Sequence, residues 1–182
     1  MSDSKISMIF ESGTKEEKIS MLESLSNTIK PEIIFKIISK LDDPDIEVRG
    51  EAFSSLVLNE NNISKFLIQS LSSVNKNIRG YSALVLANRK NIESISEIIN
   101  LTKDKSGMVR SCALGSLGHL KAKKASDAIH NCFYDSNLEV KKSALKAALD
   151  IGDKISKDEM KELLKEKDHE VEKLLLNAKI NS

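Results

Sequence analysis

The chain has 182 residues, 40% of them hydrophobic and 30% charged, with 28 basic against 27 acidic side chains and a net charge of +1. So even a balance, well mixed along the sequence, excludes the concentrated positive field that general nucleic-acid or membrane-surface binding requires. No apolar run approaches the roughly 18–20 residues of a membrane span. Cys112 and Cys132 make neither a disulfide framework nor a four-ligand zinc site, and both read as reduced, packed thiols. Met1-Ser2-Asp3-Ser4-Lys5 lacks the basic and apolar regions of a signal peptide, so a cytoplasmic protein is expected. With 7 glycines, 2 prolines and no linker-like stretch, residues 1–182 read as one domain.

Helical patterns come in pairs along the whole chain. The first, about 2–29, is the least regular, with Ile6 in its first helix and Met21 and Leu25 in its second. The second, 31–58, opens at Pro31, whose missing N–H suits a first turn. Ile33, Ile34, Ile37, Ile38 and Leu41 then form a stripe at helical spacing. Four further pairs follow at about 62–89, 92–120, 125–152 and 157–181, the last densely charged from Lys157 to Lys173. Six antiparallel pairs of helices, each about 11–14 residues and roughly 16–21 Å long, are expected.

One column fixes the register. Val48, Ile78, Val109, Val140 and Val171 recur every 30 or 31 positions, followed at once by Arg49, Arg79, Arg110 and Lys141. Ala52, Ser82, Ala113, Ala144 and Leu175 lie four on; Leu56, Leu86, Leu117 and Ala148 lie eight on. Eleven before the column stands an apolar spine of Ile37, Leu67, Ile98, Ile129 and Met160. Three before it stand Asp45, Asn75, Ser106, Asn137 and Asp168, all residue types that cap helix N-termini. A fixed period of this length marks an array of one supersecondary unit.

The run from Asp43 to Ala52 (acidic turn, proline, cap, Val-Arg, alanine) resembles the short HEAT-repeat signature. Asp104 to Gly118 is similar to it, as is Asp135 to Leu149 with Lys141 for arginine. The 30-residue units resemble the phycobilin-lyase-type HEAT group over roughly residues 31–181. The resemblance implies an all-α fold, a right-handed α-solenoid (an α-α superhelix) of HEAT/armadillo type. For function it implies little, since such folds serve scaffolds, lyase subunits and metal-dependent hydroxylases.

Two polar patterns invite a chemical reading. The basic column is shadowed by Asp43, Ser73, Asp104, Asp135 and Glu166, five residues before the Val column. Asp43, Arg49, Arg79, Asp104, Arg110, Asp135 and Lys141 are therefore read as a structural ladder, each base tying its turn to a neighbouring repeat. Metal-binding HEAT hydroxylases carry His-Glu pairs just after Val-Arg; the equivalents here are Gly50-Glu51, Gly80-Tyr81, Ser111-Cys112, Lys142-Ser143 and Lys173-Leu174. No metal or cofactor is expected. His130 falls in a column of isoleucines and reads as semi-buried packing. No serine has a positioned base, no catalytic residue stands out, and the glycines of Gly115-Ser116-Leu117-Gly118 are read as allowing close helix approach.

What is left is the exposed face of the second helices, which lines the concave side in solenoids of this kind. Gly50, Ser54, Gly80, Ser111 and Gly115 form a smooth floor, with Tyr81, Leu84 and Asn88 adding specificity. Lys142 and Lys146, continued by Lys173 and Asn177, make its last part basic. A non-enzymatic scaffold is expected, binding a protein partner as a helix or an extended acidic segment. An accessory subunit of a lyase-type enzyme or a nucleic-acid-binding HEAT protein are the alternatives.

Overall fold

The structure, a computed structural model, describes the fold of residues 2–180 and the side-chain surroundings of residues 2–176. The expected end of the last pair at residue 181 and the side chain of Asn177 lie outside the described residues. The described residues contain helices and turns and no strand.

The chain forms two compact units divided between Arg89 and Lys90. The first holds α1 (Asp3–Ser12), α2 (Lys15–Leu25), α3 (Pro31–Ser39), α4 (Ile46–Leu58), α5 (Ser64–Ser70) and α6 (Lys76–Asn88). The second holds α7 (Ile95–Leu101), α8 (Gly107–His119), α9 (Ser126–Asn131), α10 (Leu138–Ile151), α11 (Lys157–Leu164) and α12 (His169–Ile180). In the first unit α2 packs on α4 and α4 on α6, while α1 packs on α3 and α3 on α5. In the second, α8 packs on α10 and α10 on α12. Second helices stacking on second helices is the packing of an α-solenoid, because one pair cannot bury its apolar face alone.

Both periodic columns are core except at Ile78 and Met160, which are half-buried. Val48, Val109, Val140 and Val171 are fully buried, as are Ala52, Ala113 and Ala144, and the spine residues Leu67, Ile98 and Ile129. Ser82 takes the alanine position in α6, with its buried hydroxyl unpaired among the described residues. Each second helix starts one residue after its cap. Asp45, Asn75, Asn137 and Asp168 each accept from backbone N–H groups two and three residues on; Ser106 makes no such bond.

The first helices are shorter than expected, with only 7 residues in α5 and α7 and 6 in α9. The turn that follows causes this. Asp43, Ser73, Asp104 and Asp135 each accept from the N–H two residues on, at 2.8–3.2 Å. Such a side-chain turn competes with the helix for its own backbone. Asp43 and Asp135 are accordingly extended, and 3-10 turns at Lys40–Asp42 and Cys132–Tyr134 tighten the chain before them.

Candidate functional site: a groove between two second helices

The basic column first serves its own turn. Arg49 Nη1 donates to the carbonyls of Asp43 (2.7 Å) and Pro44 (3.0 Å), Arg79 Nη1 to those of Ser73 (2.8 Å) and Val74 (3.0 Å), and Arg110 Nη1 to that of Asp104 (2.8 Å). Where the next turn offers an acid, the base also reaches across. Arg110 grips Asp135 through Nε and Nη2, both at 2.7 Å, Lys141 reaches Glu166 at 2.5 Å, and Lys18 reaches Asp43 at 3.2 Å. Arg49 makes no ion pair among the described residues, because Ser73 stands where the acid would be. There Asp42 joins the two turns instead, accepting from Asn75 and from Asn77 at 2.6 Å.

These rungs set the acid response. Burial pushes the Asp135 carboxyl up, but Arg110 and the Asn137 N–H outweigh it and hold the group below its ordinary range. Asp43 behaves alike: burial is outweighed by the Asp45 N–H and Lys18. A carboxyl depressed on folding adds stability above its unfolded pKa, about 3.9, and that share disappears as pH falls through the lower folded value. Arg110→Ala should therefore lower unfolding free energy by about 2–3 kcal/mol at pH 7. The wild-type advantage should shrink below about pH 4, read by urea denaturation at both pH values. An unchanged midpoint at pH 7 would refute the rung.

Within the first unit, three of the expected docking residues gather around one recess and the others lie outside its lining. Gly50, Tyr81 and Leu84 come together with Ile46, Arg49 and Phe53 around an open groove of about 260 Å3 between α4 and α6. Ile46 is 72% exposed, and a Cβ added at Gly50 would meet nothing within 4 Å. The walls are aromatic and aliphatic, with one guanidinium and one phenol as polar groups. Such a recess suits an apolar side chain held by burial and oriented by a few donors. Ser54 is half-buried outside the lining, and Asn88 is exposed with its amide turned back to the Leu84 carbonyl at 2.9 Å.

Three expectations need correction. Gly80 is buried; having no side chain, it presents only helix backbone and leaves the docking face. Lys142 is not free, because Asp168 (3.1 Å), Glu170 (3.2 Å) and Glu139 (3.3 Å) surround its ammonium and Asp168 and Glu170 raise its pKa. In the same unit Ser111 is half-buried, Gly115 opens onto empty space, and Lys146 is exposed without an ion pair among the described residues. His130 is more than packing. Its Nδ1 lies 2.7 Å from Glu159 and its Nε2 3.3 Å from Asp153, with the Phe133 ring beside it.

Ser126 donates to Asp153 at 2.6 Å rather than to His130, so this cluster lacks the nucleophile–base bond of acyl-transfer sites. Burial pushes both Cys112 and Cys132 up to about 11, which keeps their reactive thiolate scarce at neutral pH. No group of three or more ligating side chains among the described residues is placed to hold a metal ion.

The stacked pairs and their laddered turns define an α-solenoid of short repeats. Residues 64–133 match the family of HEAT repeats, and the resemblance carried by the Val-Arg turns holds. No curated protein matches the sequence. Among solved structures, the complex of CpcE and CpcF of phycocyanin lyase from Nostoc sp. PCC7120 superposes with a TM-score of 0.68 at 19% identity, over 82% of this chain and 99% of that one. A designed armadillo repeat protein in complex with the peptide (KR)4 gives 0.52 at 19% identity, over 97% and 98%. A TOG–tubulin binding structure gives 0.55 at 15% identity, over 97% and 82%. At these identities the likeness is one of fold. No helix among the described residues is long and apolar enough to cross a membrane.

Proposed function

We propose that this chain is a non-enzymatic HEAT-repeat scaffold of the cytoplasm, needing no cofactor, that binds a segment of a protein partner in the groove between α4 and α6. The observation that carries this is the groove itself. Ile46, Phe53, Tyr81 and Leu84 leave apolar surface open around Gly50, where an added Cβ would meet nothing within 4 Å. An apolar recess kept open in a water-facing position gains by burial only when something enters it. The folds it shares with repeat proteins recorded in complex with peptide or protein support a protein segment as the occupant. The likeness to the CpcE–CpcF complex also supports a second reading, in which the partner is an enzyme subunit and this chain its accessory.

The test uses a displayed library of random 12-residue peptides, selected on the full chain and counter-screened on Gly50→Phe. Gly50 lies inside α4, so a side chain there should keep or raise stability, glycine being about 1 kcal/mol worse than alanine in a helix. Selected peptides should bind the wild type and lose at least tenfold in affinity on Gly50→Phe while its melting temperature holds. Selected peptides indifferent to Gly50→Phe would overturn the groove as the binding face.

A further inference from the structure

We infer that Arg49 is a carboxylate-binding site at the rim of this groove, so that the segment received there carries an aspartate or glutamate beside a large apolar side chain. The inference rests on the groove reading above. Arg49 and Arg110 hold equivalent positions in the repeat but are not equally engaged. Arg110 divides its guanidinium between two tasks: Nη1 serves its own turn at Asp104, while Nε and Nη2 take both oxygens of Asp135. Arg49 performs the first task in the same way, with Nη1 on Asp43 and Pro44. Its Nε and Nη2 edge has no partner among the described residues, since the following turn offers Ser73 for an acid. The Ser73 hydroxyl is engaged with the Asn75 N–H at 3.2 Å, and the Asp42 carboxylate is taken by Asn75 and Asn77. Among the described residues, nothing in these two turns supplies the missing anion.

The vacant edge belongs to a residue that lines the groove with Ile46, Gly50, Phe53, Tyr81 and Leu84. The nearby acids in α4 are already engaged. Glu47 pairs with Lys15 at 2.9 Å, and Glu51 accepts from Ser55 at 3.1 Å. Two parallel N–H donors in a fixed fork match the two oxygens of a carboxylate, the geometry Arg110 shows with Asp135. Arg49 is the only cation among the lining residues, which favours a singly charged carboxylate over a phosphoryl group needing more than one. The acid would fix the register of the incoming segment, and the apolar side chain would fill the recess.

The peptides selected above are the probe. Those blocked by Gly50→Phe should share an acidic residue next to a large apolar one. Changing that residue from Asp to Asn, or Glu to Gln, should weaken binding to the wild type about tenfold or more. Arg49→Gln should cause a similar loss, and the amide peptide should lose nothing further on that variant. Because Arg49 also holds two turn carbonyls, the peptide-side change on the unaltered protein is the reading that needs no stability correction. Peptides blocked by Gly50→Phe that lack an acid, or bind Arg49→Gln as well as wild type, would overturn this inference and leave the groove standing. If Gly50→Phe blocks no selected peptide, both fall together.

Discussion

Arg89→Met should destabilise the first unit by about 3 kcal/mol. Arg89 sits just past α6 and reaches back to the end of α4, where the last carbonyls of a helix have no partner of their own. Its Nη1 donates to Leu56 (2.9 Å), Val57 (3.1 Å) and Asn59 (2.6 Å), and its Nη2 to Asn61 (2.7 Å). The loop it holds is tied in turn to the preceding one, since Asn59 donates to Thr28 at 2.9 Å and Asn61 to Asn27 at 3.0 Å. Methionine keeps much of the stem's packing but orphans several acceptors at once, each a charge-assisted bond in the wild type. Arg89→Lys, a single point charge, should restore only part. Urea denaturation followed by circular dichroism gives the magnitude, and faster amide exchange in the last turn of α4 gives the location. A loss below about 1 kcal/mol would mean that water replaces the clasp.

Two glycines three residues apart on α8 should respond in opposite directions. At Gly118 an added Cβ would lie 3.0 Å from the Ala147 Cα of α10 and 3.0 Å from an oxygen of Asp150. The obstacle is backbone, so α8 and α10 must separate or twist, and Gly118→Leu should cost about 3 kcal/mol by overpacking. At Gly115 nothing lies within 4 Å, and Gly115→Ala should gain up to about 1 kcal/mol from helix propensity alone. Thermal melts of the two variants decide the matter. If Gly118→Leu melts like the wild type, α8 and α10 do not pack at this distance.

Most of the fold was legible because it rests on local chemistry repeated. Apart from half-buried Ile78, the Val column marks the buried turn of the second helices, the cap column marks the residue just before them, and both are properties of short sequence windows. The lengths of the first helices were not, because they depend on whether an acidic turn wins the backbone from the helix before it. Lys142 was misread for a different reason. Its three acids include Asp168 and Glu170, which belong to the next turn and come near only through packing. Arg89 stands in no repeating column, so no pattern announced it. The groove was half visible: Gly50, Tyr81 and Leu84 were on the expected face, and Ser73 plainly broke the acidic column. What that break does to Arg49 required knowing that Arg110 divides its guanidinium between two turns, which is a fact of geometry and not of spacing.

The central claim is that binding happens between α4 and α6. Backbone and side-chain NMR shifts of the full chain, recorded as a selected peptide is titrated in, test it most directly. The account predicts the largest changes at Ile46, Arg49, Gly50, Phe53, Tyr81 and Leu84, saturating together. Changes that instead gather at Ser111, Gly115 and Lys146, or along the first helices, with those six residues still, would contradict it.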